Sequence, residues 1–218
     1  MKRFTFLFVG PPGSGKGTQA EAVADSLGLP HVDVGALLRE LADLDNNTGR
    51  LIKSLMIAGK TVPEEVVLEE LLVHLKMLDL SKGLVLDGYC RTQKQAKDLL
   101  NLQTQGVIPP IVVISIKVDD NLLQERITTR KYCELRNGEK KNIDNSFSVI
   151  DCQQQGGHIS KRADDNLTTF HERLKLYHEQ TEPAIADLKE TSKGLIMVDG
   201  TPPIKSVEAT IAQQIQHL

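Results

Sequence analysis

Four compact apolar runs punctuate the chain: Phe4-Thr5-Phe6-Leu7-Phe8-Val9, Gly83-Leu84-Val85-Leu86, Ile111 to Val118 and Leu195-Ile196-Met197-Val198. A fainter fifth, His31-Val32-Asp33-Val34, follows the breaker Gly28-Leu29-Pro30. Each has the length of a strand, and their near-continuous apolar character predicts burial on both faces, as in a helix-covered parallel sheet. Helical patterns fill the intervals: Gln19 onward, Ala36–Leu44, a stretch ending near Ala58, Glu64–Leu78 behind Pro63, and Thr92–Gln105. Asp119-Asp120 opens another helix, which carries Arg126 and Arg130 one turn apart on one face. A long helix from Asn166 toward Lys189 is divided at Pro183, and a terminal helix follows the last strand. Strand and helix alternate, so the fold class is α/β.

One segment stands outside the alternation. Residues 131–161 are polar, rich in lysine and asparagine, with three spaced glycines and almost no core pattern. So long a stretch inside a compact domain is a functional lid or a solvated loop. Arginines at its borders, Arg126 and Arg130 before and Arg162 after, favour the lid.

The first apolar run leads into Gly10-Pro11-Pro12-Gly13-Ser14-Gly15-Lys16-Gly17-Thr18 and then into helix. Strand, glycine-rich loop and helix in that order make an anion cradle: the glycines let successive N–H groups turn inward, and the helix N-terminus adds its dipole. Lys16 supplies a mobile charge for the outer phosphates. Where phosphate loops in general place a Ser or Thr to ligate magnesium, Gly17 stands, and Thr18 comes one place later. A magnesium ion held through waters, near Thr18 and a carboxylate, is therefore the expectation. Asp87, at the carboxyl end of the Gly83–Leu86 run, is the carboxylate that lies where ligands meet an open parallel sheet, and Arg91 shares its loop.

Composition narrows the function classes. Hydrophobic residues are 40% and charged residues 25% of 218, with a net charge of −3. That gives no global attraction to nucleic acid or an anionic membrane, so any polyanion site is local. Cys90, Cys133 and Cys152 are too few and too scattered for a disulfide framework, which points to a reducing compartment, the cytoplasm. The apolar run after Met1-Lys2-Arg3 is too short for a signal peptide, and no stretch is long enough to span a bilayer. Cys133, Cys152 and His158 lack the paired spacing of a zinc site, so zinc is not expected.

Taken together these stretches resemble the nucleoside monophosphate kinase family, and adenylate kinases most closely, over nearly the whole chain. The motifs come in the family's order: Gly10 to Thr18 in the Gly-Lys-Gly-Thr form, Gly35-Ala36-Leu37-Leu38-Arg39, Gly59-Lys60-Thr61-Val62-Pro63, Leu86 to Thr92, Arg126 and Arg130, Arg162-Ala163-Asp164-Asp165, Arg173, and Val198-Asp199-Gly200-Thr201. The resemblance implies a three-layer α/β/α phosphate-loop core of five parallel strands (1–30, 61–126, 163–218). It also implies small helical insertions, a monophosphate-binding one (31–60) and a lid (127–162). It implies reversible transfer, ATP + AMP to 2 ADP, with Mg²⁺, by a cytoplasmic monomer. ATP would meet Gly13, Ser14, Gly15, Lys16, Gly17, Thr18, Arg126, Arg130 and Pro202. AMP would meet Val34, Gly35, Arg39, Lys60, Val62, Gly88, Arg91, Gln95, Arg162 and Arg173, with Gln95 reading the adenine edge. Lys16, Asp87, Arg91, Arg130, Arg162 and Arg173 would surround the transferred group.

The chain departs from the pattern at the acceptor side. Val34-Gly35-Ala36 stands where adenylate kinases have Thr-Gly-Asp, removing a hydroxyl and a carboxylate, and Tyr89-Cys90 stands for Phe-Pro. A pyrimidine monophosphate acceptor is the alternative within the chemistry. A nucleotide-binding regulator without turnover is the alternative outside it. In the lid, Cys133 and Cys152 match two of four family zinc cysteines, with Arg136 and Gln155 near the other two positions, implying a lid held by hydrogen bonds instead of metal.

Overall fold

The computed structural model describes residues 3–136, 138, 140–143 and 147–218; the basic start Met1-Lys2 lies outside them. Numbered along the chain, strands β1 (Thr5–Val9), β2 (His31–Asp33), β3 (Leu84–Asp87), β4 (Ile111–Lys117) and β8 (Gly194–Asp199) form one parallel sheet in the order β2-β3-β1-β4-β8. Helices α1 (Lys16–Leu27), α4 (Glu64–Leu75), α5 (Gln93–Thr104), α9 (Glu182–Thr191) and α10 (Ile204–Gln216) cover its two faces.

Side chains alternate across a strand, and both sides of this sheet are dry. Phe6, Phe8, Val112, Ile114 and Ile116 pack with Ala20, Val23 and Ala24 of α1 and Val207 and Ile211 of α10. Leu7, Val9, Leu84, Leu86, Ile111 and Val113 face the other layer, with Leu71, Leu99, Ala184 and Leu188. That is why the strands read as continuous apolar runs rather than alternating ones. Each fully buried Leu, Ile or Phe contributes about 1.5–3 kcal/mol, so the two faces together fix the register that aims every strand end at one rim.

Between β2 and β3 lie α2 (Val34–Ala42) and α3 (Asn47–Ile57). Helix α2 starts two residues earlier than the sequence pattern suggests, because the Asp33 carboxylate caps it, accepting from the Ala36 N–H at 3.0 Å. Asn46 caps α3 in the same way, at 2.7 Å from the Gly49 N–H. This pair docks onto α8 (Leu167–Leu176), where the Thr169 hydroxyl donates to the Ile57 carbonyl at 2.8 Å. A π-helical turn, Tyr177–Thr181, separates α8 from α9, and Pro183 sits in the first turn of α9.

Helix α6 (Asp120–Thr129) ends before Arg130, whose backbone is extended at ψ 135°. Arg130 is therefore the cap beyond the helix, and the side chains of Arg126 and Arg130 go to different partners. The Thr128 and Thr129 hydroxyls bond back to the carbonyls of Gln124 and Glu125 in the last turn, a local competition that weakens a helix end, and the Arg130 side chain is drawn to Asp165.

The segment after α6 has more order than its polar sequence suggests. Strands β5 (Tyr132–Glu134), β6 (Lys140–Asn142) and β7 (His158–Ser160) form an antiparallel sheet in the order β6-β5-β7, with one short helix, α7 (Val149–Gln154). Beneath it Cys133 and Cys152, both fully buried, form a disulfide. A Cβ on Gly157 would lie 2.5 Å from the Cys133 sulfur and 2.9 Å from that of Cys152, so only glycine lets β7 cross so closely. The reading of these cysteines as scattered and unpaired is corrected: α7, folded against β5, brings Cys152 to Cys133, 19 residues away, which spacing alone does not signal. The link is a disulfide rather than hydrogen bonds alone. Only Cys90 remains a free thiol, so the cysteine argument for a reducing compartment rests on it alone. Among the described residues no helix is long and apolar enough to cross a membrane.

Closing a loop of this size removes roughly 3 kcal/mol of chain entropy from the opened segment. Replacing Cys133 and Cys152 together by serine is expected to speed proteolytic cleavage within 131–162 at least tenfold, leaving the remaining core intact, as read by mass spectrometry of the fragments. Cleavage at the wild-type rate would show that the segment does not depend on the link.

Candidate active site

The carboxyl ends of β1, β3 and β4 open onto one cleft. At its floor the loop after β1 turns on two glycines in left-handed backbone, Gly13 at φ 85° and Gly15 at φ 87°, the second capping α1. A Cβ on Gly10 would collide at 2.7 Å with the Ile116 carbonyl and the Ser14 hydroxyl. Ser14 is buried, its hydroxyl without a protein partner, while Thr18 sits half-buried in the first turn of α1. The loop is a concave row of N–H groups at a helix N-terminus, the form that binds anions.

Asp87 ends β3 as register partner of both Phe8 and Asp33. It is 4% exposed, and its Oδ1 has no hydrogen-bond partner. Its other oxygen explains Gly17: a Cβ there would stand 3.1 Å from Oδ2, so the carboxylate occupies the space a Ser or Thr side chain would take. Burial raises the Asp87 pKa to about 6, against the pull of the Lys16 ammonium. Burial and three arginines bring Lys16 down to about 8, with Asp87 opposing. Among the described residues no three His, Cys, Asp or Glu converge on a metal. An orphaned buried carboxylate oxygen beside a phosphate cradle fits magnesium held through its waters and brought in with a nucleotide.

Five arginines ring the same space, and the fold holds four of them through their guanidiniums. Arg39 on α2 pairs with Asp33 at 3.3 Å. Arg130 makes a two-pronged bond to the fully buried Asp165, and Arg173 on α8 meets Asp164 at 2.7 Å. The Arg162 guanidinium carbon sits over the Tyr132 ring, 4.5 Å from its centre, with that of Arg130 at 5.6 Å. Burial lowers Arg162 and Arg173 to about 10, and their arginine neighbours push the same way. Arg91 is lowered by burial as well; among the described residues its guanidinium makes only a 3.4 Å contact, to the Gly88 carbonyl. So many cations in one desolvated cleft form a site for a polyanion.

The remaining expected residues divide. Val34 and Val62 belong to the buried apolar cluster with Leu38, Ile52 and Tyr89. Gly35 abuts the Asp33–Arg39 pair, and Gly88 turns at φ 76° beside Asp87. Lys60 and Pro202 are exposed. Arg126 lies apart from the other arginines, donating to the carbonyls of Gly200 and Thr201 at 3.0 and 3.3 Å. Gln95 is buried and uses its oxygen to accept from the Arg91 N–H at 2.7 Å. Burial pushes the Cys90 thiol up to about 12, which makes it an inert side chain.

Sequence reasoning missed three parts of this site. It took the carboxylate at the start of α2 as absent, since Ala36 stands at its place, whereas Asp33 supplies one three residues earlier, bonded to Arg39. It left Asp164 and Asp165 without roles, and it gave Tyr132 none.

The family model described as adenylate kinase matches residues 8–193. A protein named adenylate kinase from Desulfitobacterium hafniense is 35% identical over 213 residues, covering 97% of each chain. Another from Symbiobacterium thermophilum is 35% identical over 212 residues, covering 96% of this chain and 97% of its own. One from Archaeoglobus fulgidus is 34% identical over 210 residues, covering 92% of this chain and 93% of its own. With a phosphate loop, a buried carboxylate and an arginine ring assembled at the rim of a five-stranded parallel sheet, the chain belongs to the adenylate kinase family.

Proposed function

We propose that this phosphotransferase moves the terminal phosphoryl group of ATP to AMP in the cleft between Lys16 and Arg91, giving two ADP. The observation that carries the reading is the ring of Arg39, Arg91, Arg130, Arg162 and Arg173 around the Lys16–Asp87 pair. A module that only bound ATP would have no use for the arginines beyond the phosphate loop.

In this reading the N–H groups of Gly13 to Thr18 and Lys16 hold the ATP phosphates, and Arg126, with Thr201 and Pro202, frames the donor base. Arg39 and Arg91 hold the AMP phosphate against the opposite wall. Val34, Gly35, Lys60, Val62, Gly88 and Gln95 form the acceptor pocket, Gln95 donating its amide hydrogens to an acceptor nitrogen of the base. Arg130, Arg162 and Arg173 then face the equatorial oxygens of the moving group, where charge spreads in the transition state. No covalent enzyme intermediate is needed; alignment and charge stabilisation suffice. Asp87 and Thr18 would hold magnesium, arriving with ATP, through its waters, and the ion would supply positive charge against the donor phosphates.

The 31–60 insertion forms the acceptor side and the 127–162 segment is the lid. Closing it over both substrates keeps water from the phosphoryl group. Asp164 and Asp165, which hold Arg173 and Arg130, mark where that segment hinges. The protein works as a monomer in the cytoplasm on small nucleotides, not on nucleic acid or membrane. Its net charge of −3 and its free Cys90 support this, while the lid disulfide pulls against a reducing compartment.

Turnover of Mg·ATP against AMP, GMP, CMP, UMP and dTMP tests the reading. AMP is expected to be preferred by at least a hundredfold in kcat/KM. Preference for a pyrimidine would transfer the acceptor pocket to another base, and product from none would leave a nucleotide-binding regulator.

Asp87 gives a pH signature. An acid whose pKa is raised from 3.8 to about 6 in the folded chain takes up a proton on folding between those values. Stability of the ligand-free protein therefore falls as pH rises through that window, by about 1–3 kcal/mol from this group. Above about pH 6 the carboxylate is charged and able to accept from magnesium waters, so kcat is expected to drop as pH falls below that point. Asp87→Asn should remove both effects, seen as a flattened difference in urea unfolding between pH 4 and 6.5 and the loss of the acidic limb of kcat. An unchanged acidic limb in Asp87→Asn would assign it to another group.

A further inference from the structure

The loop between β3 and α5 carries Arg91 on a strained backbone. Cys90 takes φ +23°, the only non-glycine among the described residues at positive φ, and it is buried with Tyr89. Such a residue persists only where its surroundings over-determine it. Two hydrogen bonds do so, one on each side of Arg91. Its N–H donates to the Gln95 side-chain oxygen at 2.7 Å, and its carbonyl accepts from the Thr181 hydroxyl at 3.0 Å. Gln95 lies on the helix that continues the same loop and moves with it. Thr181 does not: it is 90 residues away in sequence.

Thr181 is the last residue of the π-helical turn between α8 and α9, and it is buried at 8% exposure. A π turn inserts one extra residue and re-phases the helix that follows, and such turns gather at functional sites. Here the turn presents a hydroxyl to the Arg91 loop, and Tyr177 and Gln180 of the same turn line the cleft beside it. The helix before the turn carries Arg173.

The other arginines show why the anchor is on the backbone. Arg39, Arg130 and Arg173 are each held by a carboxylate on the guanidinium, a partner that competes with any incoming phosphate. Among the described residues Arg91 has no such partner. Its guanidinium stays open to an anion only if something else fixes where it stands. A hydrogen bond to its carbonyl does that without occupying a single guanidinium N–H.

We propose that Thr181 is a positioning residue for the acceptor phosphate: by holding the Arg91 carbonyl it ties the Arg91 loop to the helix of Arg173, so the two guanidiniums keep a fixed separation across the transferred group. The proposal rests on Arg91 holding the AMP phosphate. Thr181→Val keeps the shape and removes the hydroxyl; Thr181→Ser keeps the hydroxyl.

Steady-state kinetics with AMP and ATP varied separately test it. Thr181→Val is expected to raise KM for AMP about tenfold, the size of one lost buried hydrogen bond, with KM for ATP within twofold of wild type. Thr181→Ser should return KM for AMP to within about threefold. In an Arg91→Ala background, Thr181→Val should change KM for AMP by less than twofold, because two residues acting through one group are not additive. A purely structural threonine would instead lower the melting temperature and shift both KM values alike, in either background, and that result overturns the proposal. If Arg91→Ala itself leaves KM for AMP unchanged, the assignment of Arg91 fails and the proposal falls with it. If Arg91→Ala raises KM and Thr181→Val does not, the positioning role alone fails.

Discussion

Repulsion among like charges is the constraint that shapes this protein. A lysine and five arginines face one cleft, and burial lowers the proton affinity of Lys16, Arg91, Arg162 and Arg173, where water would otherwise screen them. The fold meets that cost with a carboxylate or a ring for nearly every cation. Asp33 holds Arg39, Asp165 holds Arg130, Asp164 holds Arg173, Tyr132 carries Arg162, and Asp87 stands by Lys16. Each arrangement leaves the cleft short of negative charge. In the proposed reaction two nucleotides and their transferred phosphoryl group supply it.

The parallel sheet makes this placement possible. Because both faces are covered, the strands have no polar side to spare, and chemistry collects at their carboxyl ends. Asp87 is where that shows most clearly. As the last residue of β3 it reaches across to the phosphate loop, and Gly17 is glycine because the carboxylate occupies the room a side chain would need. The loop's departure from the general phosphate-loop ending and the position of Asp87 are one fact seen from two strands.

Much of this was legible in the chain. The strand–loop–helix at Gly10 to Thr18, the buried β4 run and the sequence of arginines each carry a local signal: spacing of glycines, an unbroken apolar stretch, a cation type suited to forked phosphate contacts. What was hidden depends on contacts distant in sequence. The Cys133–Cys152 disulfide joins two isolated cysteines only once β5 and β7 pair and α7 folds over them. Those strands are three residues each and polar, too short for a periodic pattern to register. The parting of Arg126 and Arg130 is hidden because the partner of Arg130, Asp165, lies 35 residues beyond it. Asp33 was hidden in another way: a carboxylate three positions upstream of the family's reaches the same helix N-terminus because it is the cap.

Thermal unfolding at low ionic strength, with AMP alone, ATP alone, or a dinucleoside polyphosphate long enough to span both sites, addresses the charge account most directly. A ligand that neutralises the whole ring should raise the melting temperature by more than the ATP and AMP shifts combined at equal ligand concentration, since stabilisation grows with the ratio of ligand to its dissociation constant. A shift no greater than that given by ATP alone would mean that the arginines do not act as one polyanion site, and the account would fail.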